Sequence, residues 1–480
     1  MSSTIEKQVQ QLIFSRFVHE PTEGQKKACK LLVSFLYDAN PMSAFMLKGY
    51  AGTGKTTLVS AIIQILPHLR LRTVLLAPTG RAAKVLSNYS GKKAYTIHKK
   101  IYYTATDEFG IIQTVRARNK HKYTLFVIDE ASMIGNSSET YMGKSHNLLE
   151  DLIDYVAEGE HCRMLFIGDT AQLPPIGNDI SPALNADMLA SISNLNVYEC
   201  EMHDVVRQQL QSGILYNGTI VRDYIRQNID VSENLFKLKN FPDIERIGGV
   251  DLEEYLNKEY ADNDLGDVVV VCRTNKRANI FNQEIRRRIL YREGELNTGD
   301  FVMVVKNNYF WVENDSDMAF IANGDIAEVM QIRKYHEMYG FRFVEATLHF
   351  VDYPDVPDVD CILMLDTLMS NSPALSDDDS KKLFNEVLAD YYDVPKKSDR
   401  LKLVKNNPYY NALQIKFAYS LTCHKTQGGQ WNTVFVDQGF LPDGSMNVEY
   451  LRWLYTAITR ATQKLYLLNF DSNFFSDDVQ

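Results

Sequence analysis

The stretch Gly49-Tyr50-Ala51-Gly52-Thr53-Gly54-Lys55-Thr56 fits the pattern GxxxxGK[ST]. It follows the short apolar run Phe45-Met46-Leu47 and precedes the apolar stretch Leu58 to Leu66. A strand, a glycine-rich turn and a helix in that order build a phosphate cradle. The glycines let backbone N–H groups turn inward, and the helix offers its positive end. Lys55 is expected to reach the β- and γ-phosphates of a nucleotide, and the Thr56 hydroxyl to bind Mg²⁺. Gly52, Thr53, Gly54 and Thr57 complete the expected nucleotide loop.

Asp129-Glu130 closes a second apolar run, Leu125–Ile128, which puts two carboxylates at a strand's C-terminal edge, where open α/β sheets bind ligands. Asp129 is expected to hold Mg²⁺ and Glu130 to act as general base on the attacking water. Gln172, after the run that ends at Gly168, is a candidate γ-phosphate sensor. Arg207 and Arg460 are candidate arginine fingers, with surface ion pairs as the competing role.

Further buried-strand candidates are Val74–Ala77, Met164–Ile167, Val268–Cys272, Thr433–Val436 and Leu465–Leu468. Their alternation with helical stretches predicts parallel α/β layers, and two sets of them predict two α/β domains. Two segments break the pattern. Tyr102 to Arg118 predicts a hairpin with its turn at Asp107-Glu108-Phe109-Gly110. Residues 299–411, with an Asn323-Gly324 turn and the alternating Phe341–Val351, predict a β-rich insertion ending in an acidic loop and helix around Asp377-Asp378-Asp379. Thr22-Glu23-Gly24-Gln25 has the form of a capping box ahead of another helix.

Composition bounds the rest. With 45% apolar and 23% charged residues and no apolar run of the roughly 18 residues a bilayer requires, a membrane protein is not expected. The first eleven residues show no basic-then-apolar leader, so an intracellular, cytoplasmic setting is expected. Six scattered cysteines without a CxxC argue for buried thiols in a reducing compartment, not for a zinc site or a disulfide framework. Net charge is -10, yet residues 1–122 hold 19 Lys/Arg against 6 Asp/Glu, so the remainder is strongly acidic. Such a split is a reason to look for a polyanion site in the basic part.

Taken in order, the motifs resemble superfamily 1B helicases, the group with RecD-like, phage Dda-like and petite-integration-frequency members. The series is Gln25, GYAGTGKTT from Gly49, APTGRAA from Ala77, TIHKK from Thr96, DEAS from Asp129, GDTAQLPP from Gly168 and VVRQ from Val205. VCRTNKRAN from Val271, SLTCHKTQGGQW from Ser420 and YTAITRA from Tyr455 complete it. The resemblance implies an α/β fold of two RecA-like P-loop domains, with a β-hairpin (pin) inserted in the first and an SH3-like β-rich insertion in the second. The corresponding ranges are 1–88 plus 124–206, 89–123 for the pin, 207–298 plus 412–480, and 299–411 for the insertion.

It implies an ATP- and Mg²⁺-dependent 5′-to-3′ helicase that acts as a monomer on single-stranded and forked DNA, in DNA replication, recombination or repair. Residue by residue, it implies that Gln25 reads adenine and that Gln172 couples γ-phosphate state to DNA. Arg207 and Arg460 would reach the γ-phosphate across the interdomain cleft, with Gln427 and Gly428 nearby. Pro78, Thr79, His98, Asn275, Thr422, His424 and Lys425 would track DNA phosphates, contacts that position without reading sequence. Phe109, at the pin's tip, would be the wedge.

Two features qualify the match. After Gln172 comes Leu173-Pro174-Pro175-Ile176, without the aromatic base platform typical of 3′-to-5′ relatives, which supports the polarity. Gly428-Gly429-Gln430 has one glycine more than relatives usually carry, so the last nucleotide ligand is open by one position. An RNA or RNA–DNA translocase, and a nucleotide-switched DNA clamp without unwinding, remain alternatives. A small-molecule P-loop kinase would leave the motifs after residue 260 unexplained.

Overall fold

The computed structural model describes residues 2–40, 42–106, 112–135, 138–141, 144–204, 212–231, 233–312, 318, 320–441 and 446–475. The apolar runs become inner strands. In chain order the first part contains β1 (Ser43–Gly49), β2 (Arg72–Ala77), β3 (Ala94–Thr96), β4 (Tyr102–Thr106), β5 (Ile112–Arg116) and β6 (Thr124–Ile128). It continues with β7 (Ser138–Tyr141), β8 (Lys144–Asn147), β9 (Arg163–Gly168) and β10 (Asn196–Met202). Six of these form one sheet in the order β10-β1-β9-β6-β2-β3, and every pairing is parallel. Both faces are covered. Phe45, Leu47, Leu125, Val127, Leu165 and Ile167 point into one core, while Met46, Phe126, Ile128, Met164 and Phe166 point into another. A strand buried on both faces reads as an unbroken apolar run, which is why these strands are visible in the sequence.

The second part repeats the design. It contains β11 (Ile244–Ile247), β12 (Val268–Cys272), β13 (Phe301–Val304), β14 (Ile326–Met338), β15 (Phe341–Phe350) and β16 (Val359–Met364). β17 (Leu413–Phe417), β18 (Ser420–Thr422), β19 (Trp431–Asp437) and β20 (Ala461–Leu468) follow. The parallel sheet runs β11-β20-β19-β12-β18. Its odd and even positions again serve two cores, Val269, Val271, Val434 and Val436 on one side and Val268, Val270 and Phe435 on the other.

The remaining strands make smaller units. β4 and β5 pair antiparallel from Tyr102↔Arg116 to Thr106↔Ile112. The turn between them, with Phe109, lies outside the described residues, as do Arg207 and the acidic Asp477-Asp478. β13 to β17 close a five-stranded barrel. Its last strand, Leu413–Phe417, lies past residue 411, and it pairs parallel to β16 through Leu363↔Leu413. The acidic triplet opens a helix, Asp377–Ala389, capped by the Ser376 hydroxyl, which accepts from the Asp379 N–H.

The barrel is docked on the helix Gly80–Ser90, which follows β2. Lys84 donates to the Val351 carbonyl at 2.8 Å and faces Asp352 at 3.7 Å. Gly80 is required here: a Cβ would lie 2.4 Å from the Tyr353 hydroxyl and 2.8 Å from Asp325 Oδ1. Asp325 is buried, and its Oδ2 accepts from the Ala322 N–H at 2.7 Å. Burial is the main cause that pushes this carboxyl up to about 8, with the neighbouring Asp352 adding to it.

The folded chain therefore holds a proton that an unfolded carboxyl, with pKa near ~3.9, has already lost. The stability associated with neutral Asp325 is present at low pH and lost as pH rises through about 8. The wild-type midpoint of urea unfolding is expected to fall between roughly pH 5 and 9, and Asp325→Asn to flatten that slope. Identical pH profiles for the two proteins would overturn the assignment.

Candidate active site and strand channel

Parallel pairing sends the C-terminal ends of β1, β9 and β6 to one edge, so the glycine turn, Asp169 and Asp129-Glu130 are neighbours. Gly52 and Gly54 adopt φ of 77° and 79°, a left-handed conformation that turns the loop inward at little cost for glycine. The Lys55 ammonium lies on the Gly49 and Tyr50 carbonyls at 2.5 and 2.9 Å. Thr56 and Thr57 follow Lys55 in the first turn of the helix Lys55–Ile65. Thr53 is buried and donates to the Tyr50 carbonyl at 2.8 Å.

Gln25 is used twice by the framework. It completes the capping box with Thr22, and its Nε2 donates to the Gly54 carbonyl at 3.2 Å. The amide thus stands directly behind the phosphate loop.

The two acids differ in their surroundings. Asp129 accepts from the Tyr89 hydroxyl at 2.7 Å and from the Glu130 N–H at 2.9 Å. Burial raises its pKa against these bonds and against the nearby Lys55 charge. Glu130 sits at φ 52°, itself a left-handed position rare for a glutamate. Burial raises its pKa most, with the Arg460 charge opposing and Asp129 adding to the rise. Carboxyls held above their ordinary range suit proton transfer at neutral pH.

Arg460 arrives from the other sheet. Its buried guanidinium donates through Nε to Thr456 O at 2.9 Å and through Nη1 to Gly429 O at 3.3 Å, at the end of the helix Val448–Ile458. The same helix supplies the central bridge. The Tyr455 hydroxyl accepts from the Ala51 N–H at 2.8 Å and donates to Asp169 Oδ2 at 2.6 Å, while Asp169 Oδ1 accepts from the Ala171 N–H at 2.9 Å. Alongside, Leu173 N–H donates to the Thr456 hydroxyl at 2.8 Å, the Gln427 amide donates to the Leu173 carbonyl at 2.7 Å, and Arg452 donates to the Thr170 carbonyl. The loops after β9 are thereby tied to the second sheet by several separate bonds.

Tyr455, Asp169, Thr456 and Tyr89 had no assigned role in the sequence. Tyr455 and Thr456 lie inside YTAITRA and Asp169 inside GDTAQ, so motif membership was their only signal. Gly428 lies close to the first part: a Cβ there would lie 2.9 Å from Ala82 Cβ, 3.3 Å from the Thr79 hydroxyl and 3.5 Å from Met133 Sδ. It packs on the start of the helix Gly80–Ser90.

The residues fit a nucleoside triphosphate. Gln172 Oε1 and Ser132 Oγ, after β9 and β6, are buried without a hydrogen-bond partner, in a setting where such groups normally have one. The loop N–H groups, the Lys55 ammonium and two half-buried carboxyls supply the donors and acceptors a phosphate chain and its cation require.

The proposed strand contacts form a second group. Thr79 caps the helix Gly80–Ser90, with its hydroxyl accepting from the Ala82 N–H at 3.2 Å, and Pro78 precedes it. His98 packs between Tyr102 and Phe320, ring centroids 5.7 and 6.0 Å away, and burial pushes its pKa down to about 4. It is neutral at pH 7, a hydrogen-bond donor and not a cation. Thr422 ends β18 and His424 and Lys425 follow it, and Asn275 follows β12 on the same edge, because Cys272 pairs with Thr422. Lys425 donates to Asn323 of the barrel, and burial lowers its pKa to about 8. Barrel residues 320–325 thus touch both halves of the strand set.

Among the described residues no helix is long and apolar enough to cross a membrane, and no cluster of His, Cys, Asp and Glu forms a metal site. All six cysteines are buried and unpaired.

Two family models match the chain, an AAA domain over residues 21–216 and a UvrD-like helicase C-terminal domain over residues 417–468. The ATP-dependent RecD2 DNA helicase of Deinococcus radiodurans is 24% identical over 433 residues, covering 88% of this chain and 46% of that protein. The ATP-dependent DNA helicase dda of enterobacteria phage T4 is 27% identical over 291 residues, covering 59% of this chain and 60% of that protein. The chain thus spans about half the length of these curated relatives. Among solved structures, a Bacteroides Pif1 helicase in complex with ADP-AlF3 and ssDNA is 14% identical with a TM-score of 0.46, over 96% of this chain and 95% of that one.

Tyr455→Phe removes the one oxygen shared by Ala51 and Asp169. Leaving a buried donor and a buried acceptor without partners costs about 1–3 kcal/mol each. Urea unfolding is expected to show that loss, and nucleotide binding to weaken with it. Wild-type affinity and stability in the variant would remove Tyr455 as the bridge.

Proposed function

We propose that this chain, which belongs to the superfamily 1B helicases, couples ATP hydrolysis to 5′-to-3′ movement on single-stranded DNA and so unwinds duplex. One observation carries the reading. The helix that presents Arg460 near Glu130 also holds the phosphate loop and Asp169 through Tyr455, so nucleotide state and the relation of the two sheets share the same atoms.

The roles follow from placement. Lys55 and the loop N–H groups would bind the β- and γ-phosphates once the ammonium leaves the Gly49 and Tyr50 carbonyls. Thr56 and Asp129 would hold the magnesium ion that neutralises charge between those phosphates. Glu130 would take a proton from the attacking water, and Arg460 would offset charge on the transferring group. Gln172 would report the γ-phosphate through its unpartnered Oε1 side chain and the adjoining Leu173 bonds. Pro78, Thr79, His98, Asn275, Thr422, His424 and Lys425 would grip the strand alternately as the cleft closes and opens. The pin's Phe109 wedge and the Arg207 finger are proposed from sequence position. A monomer in an intracellular, reducing setting is the proposed working form, which suits the six free thiols.

Strand displacement on 5′-tailed and 3′-tailed duplexes tests direction and activity together. Unwinding of the 5′-tailed substrate is expected, and efficient unwinding of only the 3′-tailed one would reverse the polarity. Stimulation of ATP hydrolysis by DNA, compared with RNA, separates DNA from RNA substrates. Glu130→Gln is expected to bind ATP with near wild-type affinity yet lose turnover by roughly 10²–10⁴-fold. An unchanged kcat would exclude Glu130 as the base.

A further inference from the structure

Phe440 is the one phenylalanine among the described residues with its ring largely in solvent, at 82% exposure. A single exposed apolar residue is ordinary, so exposure alone assigns nothing. Its mounting is the informative part. β18, β12 and β19 are adjacent and parallel, so the segments after their C-terminal ends lie in a row: Thr422–Lys425, then Arg273–Asn275, then Gln438–Phe440. At roughly 4.8 Å between neighbouring strands, the row spans about 10 Å.

The loop that carries Phe440 is held at several points. Gln438 N–H donates to the Leu468 carbonyl at 3.1 Å. The Gln438 amide donates to Asp471 Oδ2 at 3.1 Å and accepts from the Asp471 N–H at 2.8 Å. Gly439 sits at φ 72°, where a Cβ would meet the Arg273 stem at 3.2 Å. Arg273 Nη1 then donates to the Phe440 carbonyl at 3.1 Å. The guanidinium lies 5.2 and 5.8 Å from the centres of the Tyr450 and Trp453 rings, which are themselves stacked at 5.4 Å. A cation and an exposed ring are therefore held side by side, the cation one strand and the ring two strands away from the phosphate contacts proposed at Thr422 and Lys425.

We propose that Phe440 is a stacking platform for one nucleobase of the bound single strand, with Arg273 taking the adjacent phosphate. The proposal rests on the reading that the chain binds single-stranded nucleic acid. It supplies on the second sheet the aromatic surface that the sequence after Gln172 lacks. Every base has a π-face, so such a platform is tolerant of sequence, as a translocating protein requires. A protein partner would have less use for the neighbouring cation and its position on the phosphate-contact edge.

The test uses the full chain with oligothymidylate and with oligonucleotides that carry one abasic position. Phe440→Ala is expected to weaken oligothymidylate binding about tenfold, and Phe440→Trp to restore it. An abasic nucleotide moved along the strand is expected to weaken wild-type binding at one position and to leave Phe440→Ala unaffected there. Circular dichroism checks that both variants remain folded, as substitution at so exposed a site permits. Binding by Phe440→Ala within twofold of wild type, or an abasic penalty equal in both proteins at every position, overturns the platform. If wild-type ATP hydrolysis is stimulated by single strands while Phe440→Ala binds normally, only the platform falls. If wild type binds no single strand, both readings fall.

Discussion

The Tyr455 hydroxyl stands between the Ala51 N–H and the Asp169 carboxylate, and much of the cleft depends on that one oxygen. A hydroxyl can accept one bond and donate another, so it serves a donor from the phosphate loop and an acceptor after β9 at once. No aliphatic side chain in this position could do both. The bond network is buried, where each polar group left without a partner costs free energy and where surrounding charges act more strongly than in water. The consequence is geometric: the helix Val448–Ile458 cannot shift relative to the phosphate loop without exchanging these bonds for others. Arg460 ends that helix, so the distance between its charge and Glu130 is tied to the same movement.

Charge distribution gives the barrel its place. The basic excess of residues 1–122 includes Arg81 and Lys84 on the helix Gly80–Ser90, and acidic groups of the second part meet them there. Arg81 lies 4.0 Å over the Trp431 ring, and the charges of Asp352 and Asp267 act on its guanidinium. Lys84 bonds Val351, and neutral Asp325 with Tyr353 fills the space a side chain at Gly80 would need. The overall charge of -10 is thus an average over surfaces that partly face each other. Acidic groups on the outer surface would discourage non-specific coating by DNA and leave the channel as the attractive region.

The inner strands and the phosphate loop were legible because their constraints are local. A strand covered on both faces must be apolar throughout, and a phosphate loop must have glycine where φ is positive. Strands at the edges were not legible. β10, Asn196-Val197-Tyr198-Glu199-Cys200-Glu201-Met202, mixes polar and apolar residues because part of it faces solvent, and β11 and β3 are too short to form a run. The end of the barrel was missed for another reason: Leu413–Phe417 reads as any apolar strand, and only closure against β13 and β16 makes it part of the barrel. The capping box at Thr22 was readable from spacing, but the bond from Gln25 to Gly54 spans 29 residues and leaves no periodic trace. Tyr455 is the strongest case, since it meets Ala51 across 404 residues.

Those long-range bonds also set how nucleotide and strand can influence one another. Gln172 adjoins Leu173, whose N–H reaches Thr456 and whose carbonyl accepts from Gln427. Gln427 is followed by Gly428, which packs on Thr79 and Ala82, and two residues before it Lys425 bonds Asn323 of the barrel. A contiguous set of contacts therefore runs from Gln172, the proposed γ-phosphate sensor, to both sets of proposed strand contacts. Contiguity alone does not transmit work; the elements it links must have two arrangements that the ligand favours unequally. The Lys55 ammonium shows where the second arrangement begins. It now satisfies two loop carbonyls, and a phosphate chain would draw it away and offer the loop N–H groups new acceptors. The Ala51 N–H of the same loop donates to Tyr455. The loop that would take the phosphates is thus the one that the helix Val448–Ile458 holds through Tyr455, so a shift of the loop on binding would be felt by that helix.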